Sequence, residues 1–583
     1  MPRSLHVSLY ADDVALWSVN PRKEDAATAV EAGVDAVVRW SAENKINLNL
    51  SKCEVTFFSN DSRESSWVPV VRANGMSIPF NPTPTFLGVK YDRTLSFRPQ
   101  AEAVSKRVVD GSRVLGALSG QEWGWEGHLL RRVYSAGFLS KANYCGAGWQ
   151  PWLAKSSVAL LDRAQNRCLR KVSGVHATAL VEALRLEAGI PSVHTMIRQN
   201  AAIALERSIR VPDSNPRRSL CFSDIRHRTV RGSWRTLATE NIDLVGLKNL
   251  PRRELRLPST PPWNSALGTW VVNTRLAGGS TRDMEVRRKL ADAMDTIRSL
   301  PGPFEFTVYT DGSAEGGVRS GGSAAVITTG DCASPGKVDV VRSRGPLHTS
   351  SFEMEVSALE LALGWCERNC RERNILICTD SQSCLAGLNS GAAGRSPKSI
   401  LGTVRELLSS SSNSYTLQWI PGHSGLLGNE MADQEAKLAA VSMVDAGASV
   451  VADPAPVSFG AAKALIKRTI KDPTPSHERT RQVYSRSPNA AGLTRREAVT
   501  LAQLRTGHSK ILASYRVKIG LGEDNTCHRC GQLEEETLVH FFRECPALDS
   551  RRRDVFGCPG PPLTLLVEDP QSVALYLRKL RLL

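Results

Sequence analysis

Apolar and polar positions change period in an ordered way between residues 304 and 440, and each change marks an element. FEFTVYTDGSA (304–314) alternates as a half-buried strand does and runs into a glycine just after Asp311. GGSAAVITT (321–329) and GKVDVVRSR (336–344) supply two more strands. SSFEMEVSALELALGWC (350–366) switches to helical spacing, and Ser350 and Glu353 stand as a capping box does. RNILICTDS (373–381) reads as a buried strand, followed by two short helices, the strand YTLQWIPG (415–422) and the helix GNEMADQEAKLAA (428–440). The predicted order is β-β-β-α-β-α-α-β-α, a mixed sheet with flanking helices.

The rest of the chain is less regular. SLHVSLY (4–10) and VALWS (14–18) flank Asp12 and Asp13 like a hairpin. A helix is predicted over roughly 23–44, with Ala27, Val30, Val34, Val37 and Val38 on one stripe. INLNLSKCEVTFFS (46–59) alternates as half-buried strands do, and TFLGVKYD (85–92) reads as a strand interrupted by Gly88. Residues 98–210 are mostly helical in pattern. Residues 211–303, rich in Arg, Pro and Ser, read as a linker with some helix near 282–299, and 441–480 as a second linker. Residues 481–583 form a basic helical tail with a Cys/His cluster, Thr494 and Glu497 fitting another capping box.

A chain of 583 residues is too long for one core, so several domains are expected. With 41% hydrophobic and 23% charged residues, most of it should be globular. The formal net charge of +16 favours a polyanionic partner, nucleic acid being the simplest; a merely soluble basic enzyme is the alternative. The thirteen cysteines are odd in number and most sit singly in apolar runs, as Cys53, Cys168 and Cys378 do. They read as reduced thiols in an intracellular protein rather than a disulfide framework. No apolar run is long enough to span a membrane, and no signal peptide is evident, so a nuclear or cytoplasmic location is expected.

Two residue sets carry chemistry. Asp311, Glu355, Asp380 and Asp433 fall at predicted strand ends and helix faces of the regular segment. Strand ends of such sheets are where α/β sites form. Magnesium prefers oxygen ligands, and two such ions activate water and steady the leaving oxygen of a phosphodiester. A lone strand-end Asp is usually a turn residue, but the ordered set points to metal-dependent phosphodiester hydrolysis. In the tail, Cys527, Cys530, His540 and Cys545 form C-x2-C-x9-H-x4-C, which suits tetrahedral zinc, the alternative being reduced thiols beside a helix. His528, inside the knuckle, is the poorer ligand.

YTDGSA, SFEMEVSALELAL, CTDSQS and PGHSGLLGNEMADQEA resemble the four motifs of ribonuclease H. The resemblance implies cleavage of the RNA strand of an RNA–DNA hybrid with Mg2+ or Mn2+, held by Asp311, Glu355, Asp380 and Asp433. Glu355 rather than Glu353 begins the match. It implies that His423, otherwise a loop histidine making a local hydrogen bond, helps proton transfer and product release. Only Arg395 and Lys398 stand where cellular enzymes of this fold often carry a basic protrusion, so grip on the hybrid is expected elsewhere. Residues 481–520, with eight Lys/Arg against one acidic residue, offer a phosphate-binding stripe or a solvated helix face.

The Cys/His spacing is similar to the C-terminal CCHC module of non-LTR retrotransposon proteins, and YADD to the catalytic hairpin of reverse transcriptases. The implied order is partial palm (1–97), helical thumb and connection (98–210), linker (211–303), ribonuclease H (304–440), linker (441–480) and basic tail with zinc module (481–583). The trypanosomatid ingi and L1Tc type is the most similar by eye. Such polymerases need a further palm aspartate upstream of Asp12 and Asp13, and fingers; neither is in this sequence. The polymerase site is therefore expected to be incomplete. Element RNA, target DNA and RNA–DNA hybrid are the implied partners. A catalytically silent nucleic-acid-binding remnant is the alternative.

Overall fold

A two-residue loop, with Ala11 at φ 52°, turns the chain between strands β1 (Leu5–Tyr10) and β2 (Asp13–Ser18). Among the described residues these strands pair only with each other, and Leu9 and Tyr10 are 70% and 64% exposed. This computed structural model describes residues 4–64, 66–215, 217–218, 234–254, 270–279, 285–317, 319–389, 401–441, 456–488 and 492–583. Two units divide the chain, Met1–Ile197 with Asp472–Leu583, and Arg198–Lys471. Among the described residues no helix is long and apolar enough to cross a membrane.

In the first unit, α1 (Lys23–Glu43) lays Val30, Val34 and Val38 against a small core containing Val55, Val71 and Ile78. Residues 46–59 differ from the expected strand: Leu50–Lys52 make a 3-10 turn, and Val55 forms a single bridge to Phe80. Alternation alone does not make a strand where no neighbour offers a ladder. Asn74–Gly75, both at positive φ, turn β3 (Arg72–Ala73) into β4 (Met76–Ser77). TFLGVKYD is likewise a tight hairpin, with Leu87 and Gly88 at positive φ between β5 (Thr85–Phe86) and β6 (Val89–Lys90). Helices α2 (Arg98–Leu118), α3 (Lys155–Ser173) and α4 (Val181–Ala188) follow. Val104, Val108 and Leu115 of α2, and Leu161, Cys168 and Leu169 of α3, are buried.

In the second unit, the part of helix α5 (Val193–Ile209) from Arg198 on, α6 (Trp234–Val245) and, further on, the helix Phe459–Thr469 share a core of Ala201, Leu205, Ile242, Leu465 and Ile466. The larger core belongs to a six-stranded mixed sheet. Its strands are β7 (Trp270–Asn273), β8 (Phe306–Glu315), β9 (Arg319–Thr329), β10 (Gly336–Arg344), β11 (Asn374–Thr379) and β12 (Ser414–Trp419), in the order β10-β9-β8-β11-β12-β7. β8, β11, β12 and β7 run parallel, while β9 and β10 are antiparallel to their neighbours. Val308, Ile375 and Ile377 serve one core, and the alternate positions Tyr309, Leu376 and Cys378 serve another, the period of two expected of a sheet covered on both faces.

Helix α7 (Val286–Ser299) lays Leu290, Met294 and Ile297 against the second of these cores. Helices α8 (Ser351–Asn369), α9 (Gln382–Asn389) and α10 (Leu401–Ser410) bury Leu359, Leu385 and Val404 in the first. Helix α11 (Leu427–Val441) packs Ala432 into the second. The capping box at Ser350 and Glu353 is formed. The 211–303 segment read as a linker therefore supplies a strand and two packed helices, and the 441–480 segment the helix Phe459–Thr469. WVVN is too short, and α7 too rich in Arg and Lys, for periodicity alone to show that they pack.

The tail segment completes the first unit. Helix α12 (Arg495–Arg505), opened by the Thr494–Glu497 capping box, α13 (Ala513–Lys518) and α14 (Pro570–Lys579) share a core of Leu501, Leu504, Tyr515, Phe541, Tyr576 and Ala183 of α4. The basic stripe is only partly a surface. Arg495 is buried and donates to the carbonyls of Lys171 (2.9 Å) and Val172 (2.7 Å), and Arg505 is buried beside Glu187. Arg395 and Lys398 lie outside the described residues.

Leu276, between β7 and α7, is 4% exposed in the sheet core. Leu276→Ala is expected to cost about 2–4 kcal/mol in urea denaturation. A linker leucine at that position changes stability by less than about 0.5 kcal/mol.

Candidate active site

Asp311 and Asp380 are set side by side by register. Thr310 of β8 is paired in parallel with Thr379 of β11, so the next residue on each chain meets the same edge of the sheet. Asp311 does not end its strand as expected; β8 continues to Glu315, paired there with β9 and, among the described residues, no longer with β11. Gly312 explains how a helix reaches this point: a Cβ there meets the backbone of Met354 and Glu355 at 2.2 Å and 2.1 Å. Without that side chain, α8 descends onto β8 and delivers Glu355 to the aspartates.

Acceptor oxygens of Asp311, Glu355 and Asp380 lie within 4.8 Å of one another. Burial, then the charges of Asp380 and Asp433, pushes the Asp311 carboxyl up to about 7. Burial, then Asp311 and Asp380, pushes Glu355 well above the usual carboxylate range. Glu355 Oε2 is buried with no hydrogen-bond partner among the described residues. Three hard oxygen donors crowded together, one glutamate oxygen of them buried without a partner among the described residues, fit a divalent cation that prefers oxygen. Glu353, the rival glutamate, is engaged by the backbone N–H of Ser350 at 2.9 Å.

Asp433, on α11, falls in a neighbouring group. His423, Glu430 and Asp433 have donor atoms within 4.8 Å of one another, and Lys437 Nζ donates to Asp433 Oδ2 at 2.5 Å. His423 sits at φ 49° in a loop pinned by Ser424 Oγ donating to the Pro421 carbonyl (2.8 Å) and by Gly425 N–H donating to Glu430 Oε1 (3.1 Å). The sequence reasoning missed Glu430 and Lys437. Their spacing from Asp433, three residues before and four after, places all three on one helix face and was the available signal. A cavity of about 440 Å³ beside α8 is lined by Arg253, Arg344, Glu353, Glu360 and Glu406, and none of the four carboxylates lines it.

In the other unit, Asp12 and Asp13 are exposed at the β1–β2 turn. Cys527, Cys530, His540 and Cys545 have donor atoms within 4.8 Å of one another. The knuckle is closed by Cys527 N–H donating to the Glu534 carbonyl (2.8 Å), and a π-turn over His540–Glu544 brings His540 and Cys545 to one side. Cys530 Sγ is 3.5 Å from His540 Nε2, and Glu534 Oε2 is 2.8 Å from His540 Nδ1. Three soft sulfur donors gathered with one imidazole nitrogen fit zinc. His528 points instead toward Asp524, 3.9 Å away.

The RNase H family model matches residues 304–441. Ribonuclease HI of Helicobacter pylori is 32% identical over 146 residues, covering 24% of this chain and 96% of that protein. The RNA-directed DNA polymerase from mobile element jockey of Drosophila funebris is 24% identical over 216 residues, covering 36% of this chain and 23% of that protein. The Pol polyprotein of equine infectious anemia virus is 30% identical over 136 residues, covering 23% of this chain and 10% of that protein. This chain thus spans less than a quarter of the jockey polymerase but nearly all of the bacterial enzyme.

The raised carboxyl of Asp311 fixes a sign. The folded metal-free chain holds this proton more tightly than the unfolded chain, whose ordinary value is 3.8. Its stabilising contribution is therefore complete below about pH 4 and is lost as pH rises through about 7. Asparagine mimics the protonated form. Asp311→Asn, melted in chelator, is expected to gain roughly 2–3 kcal/mol over the native chain between pH 5 and pH 8. Added magnesium then stabilises the native chain more than the variant.

Proposed function

Since this chain belongs, through residues 304–441, to the ribonuclease H family, we propose that it hydrolyses the RNA strand of RNA–DNA hybrids with two divalent ions. The convergence of Asp311, Glu355 and Asp380 on one point carries the reading. These three, with Asp433, hold Mg2+ or Mn2+. When bound, the ions polarise the scissile phosphate and the attacking water. Asp311, central on the sheet, orients the group, and Glu355 brings an oxygen with no hydrogen-bond partner among the described residues. His423, exposed on its pinned loop, moves a proton at the leaving oxygen. On a labelled hybrid with magnesium, the RNA strand is expected to be cut. Asp380→Asn should lose more than about 100-fold, beyond the cost of losing a mere supporting partner.

The similarity to the jockey polymerase supports an origin in a mobile-element polyprotein. Within that reading, residues 1–97 descend from a polymerase palm and 98–210 from a thumb and connection, and the ingi and L1Tc type is the proposed relative. Asp12 and Asp13, exposed at the β1–β2 turn, derive on this reading from a polymerase metal site. The partners are RNA–DNA hybrid, element RNA and target DNA, in the nucleus or cytoplasm. The +16 charge also supports a silent binding remnant, which would bind hybrid with salt-dependent affinity and never turn it over.

Cys527, Cys530, His540 and Cys545 form a zinc module. Freshly purified protein is expected to hold one zinc per chain. Chelation should speed hydrogen exchange in residues 524–545 while α12 and α14 stay protected. Metal analysis showing no zinc ends this assignment.

A further inference from the structure

The Asp433 carboxylate is already partnered by a cation of the chain's own. Lys437 Nζ sits 2.5 Å from Asp433 Oδ2, one helical turn further along α11, in the Asp-before-Lys order that helices favour. The Asp433 side chain is 15% exposed and that of Lys437 57%. The carboxylate is thus fixed at the edge of the site, whereas the ammonium reaches it from solvent and has room to withdraw. An ammonium and a divalent ion compete for the same oxygen, because both need a lone pair and neither supplies one. Asp433 faces Asp311, Glu430 and His423, so its charge is part of one crowded negative field.

We propose that Lys437 is a positioning residue that holds Asp433 in the free protein and yields it to a divalent ion, thereby setting the magnesium concentration at which the site fills. This rests on the hydrolase reading above for its biological meaning, but the competition itself is a property of the metal-free chain. Removing the ammonium leaves Asp433 uncompensated and available. Magnesium should then bind more tightly, while the rate at saturating magnesium changes little. Arginine keeps the charge but carries it on a planar, more weakly hydrated group, and should keep the native magnesium requirement.

The test compares the full chain with Lys437→Met, Lys437→Gln and Lys437→Arg. Magnesium affinity is measured by calorimetry without nucleic acid, and half-saturating magnesium is measured separately in hybrid cleavage. Lys437→Met and Lys437→Gln are expected to lower both values about two- to fivefold, the scale of a largely exposed helix ion pair, with kcat unchanged. Lys437→Arg should match the native chain. In an Asp433→Asn background, Lys437→Met should have no further effect, since the competed oxygen is gone. Unchanged or weaker magnesium binding in both uncharged variants overturns the proposal, as does an equal gain in the Asp433→Asn background. If the native chain fails to cut hybrid, the hydrolase reading fails, and the calorimetry still decides the role of Lys437.

Discussion

The parallel pairing of Thr310 with Thr379 is the constraint on which the site depends. It places Asp311 and Asp380 abreast, and a shift of one residue would turn either side chain to the opposite face of the sheet. Gly312 then allows α8 to approach so closely that Glu355 completes the trio. None of these residues gains stability from the arrangement. Three carboxylates crowded out of water oppose one another and the fold. The opposing force is the sheet itself: Val308, Ile375, Ile377 and Val356 are fully buried around the site. Central strands covered on both faces can carry such a local cost where an edge strand cannot.

The legibility of the fold followed the same physics. In the sheet unit, alternating residues face two different apolar layers, so the period of each strand survives in the sequence. The Ser350–Glu353 capping box was equally plain, and it also separated the two glutamates: Glu353 closes the helix, leaving Glu355 for the site. What failed was whatever depended on a distant neighbour. INLNLSKCEVTFFS has the alternation of a strand but, among the described residues, finds no ladder beyond the single Val55–Phe80 bridge. WVVN is too short to signal a strand, and becomes one because β12 presents an open parallel edge. The glycine after Asp311 signals a strand end, yet β8 runs on to Glu315 and that glycine serves helix approach rather than a turn.

The candidate site divided along the same line. Residue types announced the carboxylates and the Cys/His set, because oxygen donors and thiolates are chosen by metal chemistry. Their supporting groups were not announced. Glu430, Lys437 and Glu534 are common surface residues in sequence, and acquire meaning only from the 3.1 Å, 2.5 Å and 2.8 Å contacts they make. Helical spacing from Asp433 contained the first two. Glu534 precedes His540 across an irregular knuckle, where no period applies.

Net charge was the least transferable signal. A formal charge of +16 counts every arginine alike, yet Arg210, Arg495, Arg505 and Arg552 are each at most 5% exposed. Arg495 satisfies carbonyls at the end of α3, Arg505 is paired with Glu187, and Arg552 donates to the Cys545 carbonyl at 2.7 Å. The guanidinium suits this use because its planar fork meets several fixed acceptors at once and is weakly hydrated for a cation. Arg495, Arg505 and Arg552 tie the tail's helices into their unit and leave no charge for a phosphate, and Arg210 is taken up in the same way by Glu206. The Cys545 thiol, pushed up to about 12 by burial, obeys the same rule from the other side: it is accommodated as a neutral group unless a cation joins it. The tail therefore has a core that arginines and aromatic rings sustain, and a metal held by the proposed Cys/His set would fix the knuckle rather than create the fold.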